Sequence, residues 1–191
     1  MKEIRCVEVR ADENPESRII QGYAIRFNEW SRDLGGFQEI IFPEALNEDT
    51  LRNSDVVMNI NHDNDKMVAR YRQGQGTLEL QLDDQGLYFR FDAPTTQLGD
   101  ELLYNVRNGN LFECSFAFSI ADDDKSERWY RDESNSLKRE IRHISGLYDC
   151  SIVTHAAYPT TSCSTRSEEI HDLSKAVDAA MDLIDKEIDE L

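Results

Sequence analysis

The chain has 191 residues, enough for one domain with an appendage. Its 38 acidic residues outnumber the 21 basic ones and give a net charge of −17, which argues against nucleic acid and anionic membranes as partners because both attract basic surfaces. No apolar run of about 18 residues and no apolar stretch near Met1 are present, so we expect neither a transmembrane helix nor a signal peptide.

The first two-thirds of the chain predict β-strands separated by turns. Strands are expected at residues 18–27, 37–42 and 56–60. Pro43 is expected to begin a short helix that ends near Leu51, because proline is tolerated in a first helical turn. Alternating apolar residues around an Asp-Asp-Gln-Gly turn predict a hairpin with one buried face, namely Leu78, Leu80 and Leu82 before the turn and Leu87, Phe89 and Phe91 after it.

A helix is expected over residues 97–108, capped by Thr95 or Thr96 and stopped by Gly109. One face of this segment is apolar, which is typical of a helix packed on a core. The helix leads directly into an apolar, strand-like run that contains Ser115.

Residues 122–136 are strongly polar and predict a long exposed hairpin tip or flexible loop, with Trp129 and Tyr130 inside it. Two strands are expected to follow, at residues 137–144 and 147–154, broken at Ser145 and Gly146. The elements together predict a mainly β protein with flanking helices, of the α+β class.

The C-terminal residues 165–191 differ from the rest and are expected to be an acidic, amphipathic helical tail on a domain that spans residues 1–164. From residue 167 onward the tail holds nine acidic and two basic residues. Its apolar residues recur at steps of three and four: Ile170, Leu173, Val177, Met181, Ile184, Ile188 and Leu191. Two interpretations stay open, a helix packed on the domain and a detachable or self-associating tail.

Ser115 is the candidate nucleophile. In an extended strand side chains alternate between faces, which places Ser115 with Glu113 and Ala117, opposite the aromatic residues Phe116 and Phe118. The aromatic face is expected to join the core, so Ser115 should lie on the other face. An exposed serine without chemistry is the competing interpretation.

His62 and Asp149 are the candidate partners of Ser115. His62 follows an apolar strand, where it could serve as a general base. Asp149 stands in an apolar run, and a carboxylate there is costly to bury without a partner such as His62. His155 and His143 remain alternatives to Asp149. A serine nucleophile, a base and an orienting acid are the groups of a serine hydrolase, whatever their order in the chain.

Metal catalysis is the competing enzyme class, but the sequence has no HExxH motif. It also has no Gly-rich phosphate-binding loop. The four cysteines are scattered and form no CxxC pair, which favours a reduced, cytosolic setting. We therefore expect no metal and no cofactor.

Five motifs occur in the order found in the prohead maturation proteases of tailed bacteriophages, and over residues 3–164 the sequence resembles that family. Each motif is short, and the resemblance depends on their shared order. They are Gly22-Tyr23-Ala24 with Phe27-Asn28, Leu34-Gly35-Gly36-Phe37 with Glu39-Ile40-Ile41, Asn61-His62-Asp63, Ser115-Phe116-Ala117-Phe118, and Tyr148-Asp149-Cys150-Ser151-Ile152-Val153-Thr154 with Ala157-Tyr158-Pro159.

The resemblance implies an antiparallel β-barrel like that of the herpesvirus assembly proteases. It also implies a serine endopeptidase that acts in the host cytoplasm inside the immature procapsid, or one encoded by a prophage. Its implied partners are the major capsid protein precursor and the scaffold, with self-cleavage and self-association. His62 matches the family histidine and Ser115 its nucleophile.

The sequence departs from the family pattern at three positions. Asp149 stands where the family has Glu, Ala117 where it has Gly, and His155 where Phe is usual. The alternative function is a catalytically inactive module of the same fold that binds capsid or scaffold, and a bacterial peptidase of this fold is a third possibility.

Overall fold

The computed structural model describes residues 3–11 and 16–154. This part contains twelve strands, two α-helices and a 3₁₀ turn at Pro43–Ala45. The helices are α1 (Glu48–Asn53) and α2 (Gln97–Arg107). The strands are β1 (Glu3–Ala11), β2 (Ile19–Arg26), β3 (Phe37–Ile41), β4 (Asp55–Ile60), β5 (Asp63–Arg72), β6 (Gln75–Gly76), β7 (Glu79–Asp83), β8 (Gly86–Asp92), β9 (Glu113–Ile120), β10 (Glu127–Arg131), β11 (Leu137–Ile141) and β12 (Ile144–Val153).

The strands form two sheets. Nine pair in the order β6-β5-β4-β12-β9-β1-β2-β8-β7, and three in the order β10-β11-β3. Most pairs are antiparallel, but β12 runs parallel to β4 and β11 runs parallel to β3. The predicted mainly β class with few helices is therefore confirmed, while the purely antiparallel arrangement is wrong.

The expected closed barrel is not found among the described strands. Closure requires the two end strands of a sheet to pair with each other. Here β6 is only two residues long and pairs with β5, and at the opposite end β7 pairs with β8 alone. The nine-stranded sheet consequently stays open.

One face of the large sheet carries the core. Four of its largest fully buried side chains are the phenylalanines of β8 and β9: Phe89, Phe91, Phe116 and Phe118. Helix α2 covers the core with Leu102, Leu103 and Val106, and Thr96 caps it by accepting a hydrogen bond from the Gly99 amide. The predicted helix and the hairpin of β7 and β8 are confirmed.

The polar segment 122–136 is not one long loop, since β10 lies within it and pairs with β11. Glu127 of β10 is paired across strands: it lies 2.6 Å from Arg139 of β11, which also contacts Glu39 on β3. Trp129 packs on Phe37 with 5.0 Å between ring centroids. The sequence did not indicate this strand because Glu127 is neutralised by Arg139, a residue distant in the chain.

The predicted break at Ser145 and Gly146 is also wrong, because β12 is continuous through both residues. Gly146 pairs with Ser119 across a register shift, so the irregularity is a bulge inside a strand.

The expected tail, the boundary near residue 164 and His155 lie outside the described residues. Within the described part, no helix is both long and apolar enough to cross a membrane.

Candidate active site

Three neighbouring strands of the large sheet carry the candidate residues. Strand β12 lies between β4 and β9. In the register, Ser151 stands opposite Ser115 on one side and Asn59 on the other, while Asp149 stands opposite Ala117. Residues directly opposite in a sheet point to the same face. These five residues thus define one surface, called the site face below.

The opposite surface of the same strands belongs to the core and includes Cys114, Phe116, Phe118, Cys150 and Ile152. The predicted alternation around Ser115 is confirmed at the centre of β9. Phe112 precedes the strand and is half-exposed.

A bulge in β12 sets the direction of Asp149. Leu147 pairs with Phe118 in the core, whereas Asp149 pairs with Ala117 on the site face, with a register shift between them. In a regular strand, with Tyr148 as an ordinary residue between them, Leu147 and Asp149 would point to the same face. The bulge therefore allows an apolar residue and a carboxylate two positions apart to point to opposite faces.

His62 follows β4 in an unusual backbone conformation. Asn61 and His62 both have left-handed φ angles, 54° and 57°. This conformation costs about 1–3 kcal/mol for residues other than glycine, although Asn and His adopt it more often than most. Two hydrogen bonds to β12 hold it: the Asn61 amide donates to the Ile152 carbonyl at 3.0 Å, and the His62 amide donates to Ser151 Oγ at 2.7 Å.

The His62 ring contacts Asp149. Nδ1 lies 3.0 Å from Oδ1 of Asp149, whose side chain is only 3% exposed. An ionised carboxylate can only accept hydrogen bonds, so this contact places the proton of a neutral imidazole on Nδ1 and leaves the lone pair on Nε2. The ring therefore has the tautomer of a general base, oriented by an acid.

Several buried polar atoms at this place have no hydrogen-bond partner among the described residues. They are Ser115 Oγ, His62 Nε2 and Asn59 Oδ1. Each unsatisfied buried group costs about 1–3 kcal/mol, so their concentration on the two sides of β12 requires a reason. Such groups are typical of a site whose partner is a substrate. No hydrogen bond joins Ser115 to His62.

Of the two alternatives to Asp149, His143 lies away from this site, and His155 is outside the described residues. His143 is half-exposed and pairs with Asp123 at 3.5 Å. It precedes Ile144, which stands opposite Ile120, five residues and about 16 Å along β9 from Ser115. Asp63 follows His62 directly, but its carboxylate pairs with Lys66, and this contact lowers the pKa of Asp63.

Sequence reasoning did not single out Ser151 as a site residue. It is fully buried, and its hydroxyl also lies 3.4 Å from the Asn59 carbonyl. The available signal was its position two residues after Asp149, which gives both side chains the same direction in a strand. The role of its oxygen depends on the turn at His62, which only the tertiary structure reveals.

The arrangement is suited to acyl transfer, since it combines a hydroxyl, an imidazole with a free ring nitrogen and a buried carboxylate. Among the described residues, no group of three or more His, Cys, Asp or Glu side chains could hold a metal ion.

Comparison with known proteins gives the family. None of the curated proteins matches the chain. Among solved structures, the capsid assembly protease gp21 of bacteriophage T4 matches with 13% identity and a TM-score of 0.48, over 80% of this chain and 96% of that one. The model of the caudovirus prohead serine protease family matches residues 5–176. The chain therefore belongs to the caudovirus prohead serine protease family.

Proposed function

We propose that the protein is a serine endopeptidase that cleaves the capsid precursor and the scaffold inside the phage procapsid, and also cleaves itself. Ser115 is the nucleophile, His62 the general base and then the acid, and Asp149 the residue that orients His62. Membership of a prohead serine protease family supports the reaction class.

The observation that carries the assignment is a pair of unpartnered atoms on the two sides of β12, since Ser115 lies on β9 and His62 directly follows β4. Ser115 Oγ is a hydroxyl without a hydrogen-bond partner in the described part of the chain, and His62 Nε2 is a base without one. Nδ1 of the same ring is held by Asp149 at 3.0 Å. The opposite serine, Ser151, already has hydrogen-bond partners. Ser115 is thus the hydroxyl on this face that is left for chemistry.

The chemical steps follow from these atoms. As Ser115 Oγ attacks the scissile carbonyl carbon, its proton passes to His62 Nε2, and the imidazolium is stabilised by the Asp149 carboxylate. The proton then passes to the leaving amine as the C–N bond breaks. Water, deprotonated by the same ring, hydrolyses the acyl-enzyme and regenerates Ser115. The lack of a hydrogen bond between Ser115 and His62 in the free enzyme is compatible with this role, since such bonds often tighten only when substrate binds.

Processing of the cognate capsid precursor tests the proposal. Purified wild type should cleave it, and Ser115→Ala should reduce the rate on the order of 10⁶-fold. Ser119→Ala is the matched control, because it removes a hydroxyl from the same strand and face, two residues beyond Ala117. Cleavage that survives in Ser115→Ala would reject Ser115 as the nucleophile.

Labelling separates the protease from the alternative binding module. A fluorophosphonate probe should label wild type at Ser115 and should label His62→Ala far less. Equal lack of labelling in wild type and His62→Ala, together with capture of the precursor, would favour the inactive module.

A further inference from the structure

Ser151 lies at the centre of the site face, yet the chemical steps above do not use it. It stands directly opposite Ser115 in the β9–β12 pair and beside Asn59 in the β4–β12 pair. The residue is fully buried. A buried hydroxyl at this place needs a reason beyond packing, because alanine would fit the position without a polar atom to satisfy.

The Ser151 hydroxyl is placed both to accept and to donate a hydrogen bond, and both partners lie at the end of β4 or just after it. Its oxygen accepts the His62 backbone N–H at 2.7 Å, and its proton is within reach of the Asn59 carbonyl at 3.4 Å. The oxygen therefore joins the last part of β4 to the residue that follows the strand.

Among the described residues, no backbone carbonyl accepts a hydrogen bond from the His62 amide. The parallel pairing of β4 with β12 continues to Asn61, whose amide donates to the Ile152 carbonyl. At His62 the chain has turned into the left-handed region and has left the strand, so the amide meets a side chain instead of a carbonyl. The Ser151 hydroxyl thus provides one further hydrogen bond between β12 and the turn, beyond the last backbone bond at Asn61.

This turn determines where the imidazole lies. Ser151 and Asp149 belong to the same strand and the same face, so one strand holds both the backbone of His62 and its Nδ1. Displacing the backbone would move the ring relative to both Asp149 and Ser115. A misplacement of about 1 Å in such a constellation can reduce a rate about 100-fold.

We propose that Ser151 is a positioning residue: its hydroxyl holds the His62 backbone in the left-handed turn and thereby sets the distance and direction of the imidazole toward Ser115. The inference rests on the proposed function for its kinetic consequence. Its structural part, the anchoring of the His62 amide, can be measured without any turnover.

The variants at position 151 separate the effect of side-chain shape from the effect of removing the hydroxyl. Ser151→Ala removes the oxygen. Ser151→Thr and Ser151→Val form a matched pair of similar shape, both suited to a strand, of which only Thr keeps the hydroxyl. Ser126→Ala is the control for removal of a fully buried hydroxyl, since Ser126 lies outside the site, beside the His143 backbone.

The first measurement uses ¹⁵N-labelled protein in the Ser115→Ala background, where no self-cleavage can interfere. We expect Ser151→Ala and Ser151→Val to increase hydrogen exchange of the His62 amide at least 10-fold relative to the Val57 amide, and to change the His62 HN–Hα coupling that reports φ. Ser151→Thr and Ser126→Ala should leave both unchanged. An unchanged His62 amide in Ser151→Ala and Ser151→Val would overturn the proposal.

The second measurement is peptide cleavage with Ser115 intact. Ser151→Ala and Ser151→Val should lower kcat about 10- to 100-fold with less than a 3-fold change in KM, and Ser151→Thr should recover most of kcat. Full kcat in Ser151→Val would overturn the kinetic part of the proposal. If Ser115→Ala retained cleavage, the proposed function would fail instead, while the exchange experiment would still decide the anchoring role. If Ser151→Ala does not fold, the comparison of Thr with Val decides both parts.

Discussion

Ser115 and Ser151 face each other directly across β9 and β12, and they differ in hydrogen bonding. Ser151 Oγ accepts the His62 amide, whereas Ser115 Oγ has no partner among the described residues. The two hydroxyls have nearly the same burial, 1% exposed for Ser115 and 0% for Ser151. The Ser151 hydroxyl is thus engaged in a hydrogen bond to the backbone, whereas the neighbouring Ser115 hydroxyl has no partner in the described part of the chain.

Replacing Asp149 by Asn should abolish most activity while leaving the fold intact. The amide can donate to Nδ1, which would move the ring proton to Nε2 and remove the lone pair that a general base needs. We expect kcat/KM to fall about 10⁴-fold with a small change in Tm. Asp123→Asn, which alters the acid paired with His143, is the control and should retain full activity. A loss below 10-fold for Asp149→Asn would show that another residue orients His62.

Asp149 and Ala117 should behave as a coupled pair, because they stand directly opposite each other on the site face. Asp149→Glu alone should lower kcat/KM on the order of 100-fold, since the longer arm must fit beside the fully buried Ala117 and displaces the imidazole. Adding Ala117→Gly removes a methyl group next to that arm and should restore part of the rate. A double-mutant cycle measures the coupling, and strictly additive effects would contradict it.

His143→Ala should leave peptide cleavage unchanged within about 2-fold, because His143 lies about 16 Å along the sheet from Ser115. A large loss of kcat in a variant with wild-type Tm would reinstate His143 as the third residue. The same assay on His155→Ala tests the remaining alternative.

Asp132→Ala should destabilise the hairpin of β10 and β11 at neutral pH but not in strong acid. The Ser134 hydroxyl and then the Ser136 amide donate to this carboxylate, and Lys138 lies 3.3 Å from it; these contacts lower its pKa from 3.8 to about 2. Because the folded pKa lies below the unfolded one, the contribution is present above about pH 4 and is lost as the pH falls to about 2.

The difference in Tm between wild type and Asp132→Ala should therefore shrink over that interval, as calorimetry at several pH values can measure. Asp124→Ala, an exposed acid between β9 and β10, is the control. A difference that is independent of pH would contradict the assignment of the effect to the ionised carboxylate.

Phe116→Ala should unfold the protein more readily without a specific catalytic defect. Phe116 follows Ser115 but points to the core, where it stacks on Phe118 with 5.4 Å between ring centroids. We expect a loss of about 3–5 kcal/mol in the free energy of unfolding. Cleavage per folded molecule at low temperature should stay within a few-fold of wild type. Denaturant unfolding and active-site titration separate the two effects.

Local patterns in the sequence predicted several elements correctly. The alternation in β7, β8 and β9 and the threonine cap of α2 depend on neighbours in the chain, and these were confirmed. Strand β10 was missed because Glu127 is neutralised by Arg139, which is twelve residues away. The continuity of β12 was missed because Gly146 marks a bulge that needs the register of β9 to be recognised.

The sequence by itself determined the three chemical groups, the order of the motifs and the direction of Ser115 away from the core, because residue type and strand alternation are local properties. Only the tertiary structure decided the direction of Asp149, the turn at His62 and the hydrogen bond from the His62 amide to Ser151 Oγ. Each of these depends on the register among β4, β9 and β12, whose sequences are separated by dozens of residues. Register is a property of pairing between strands, and no single strand encodes its partner's position.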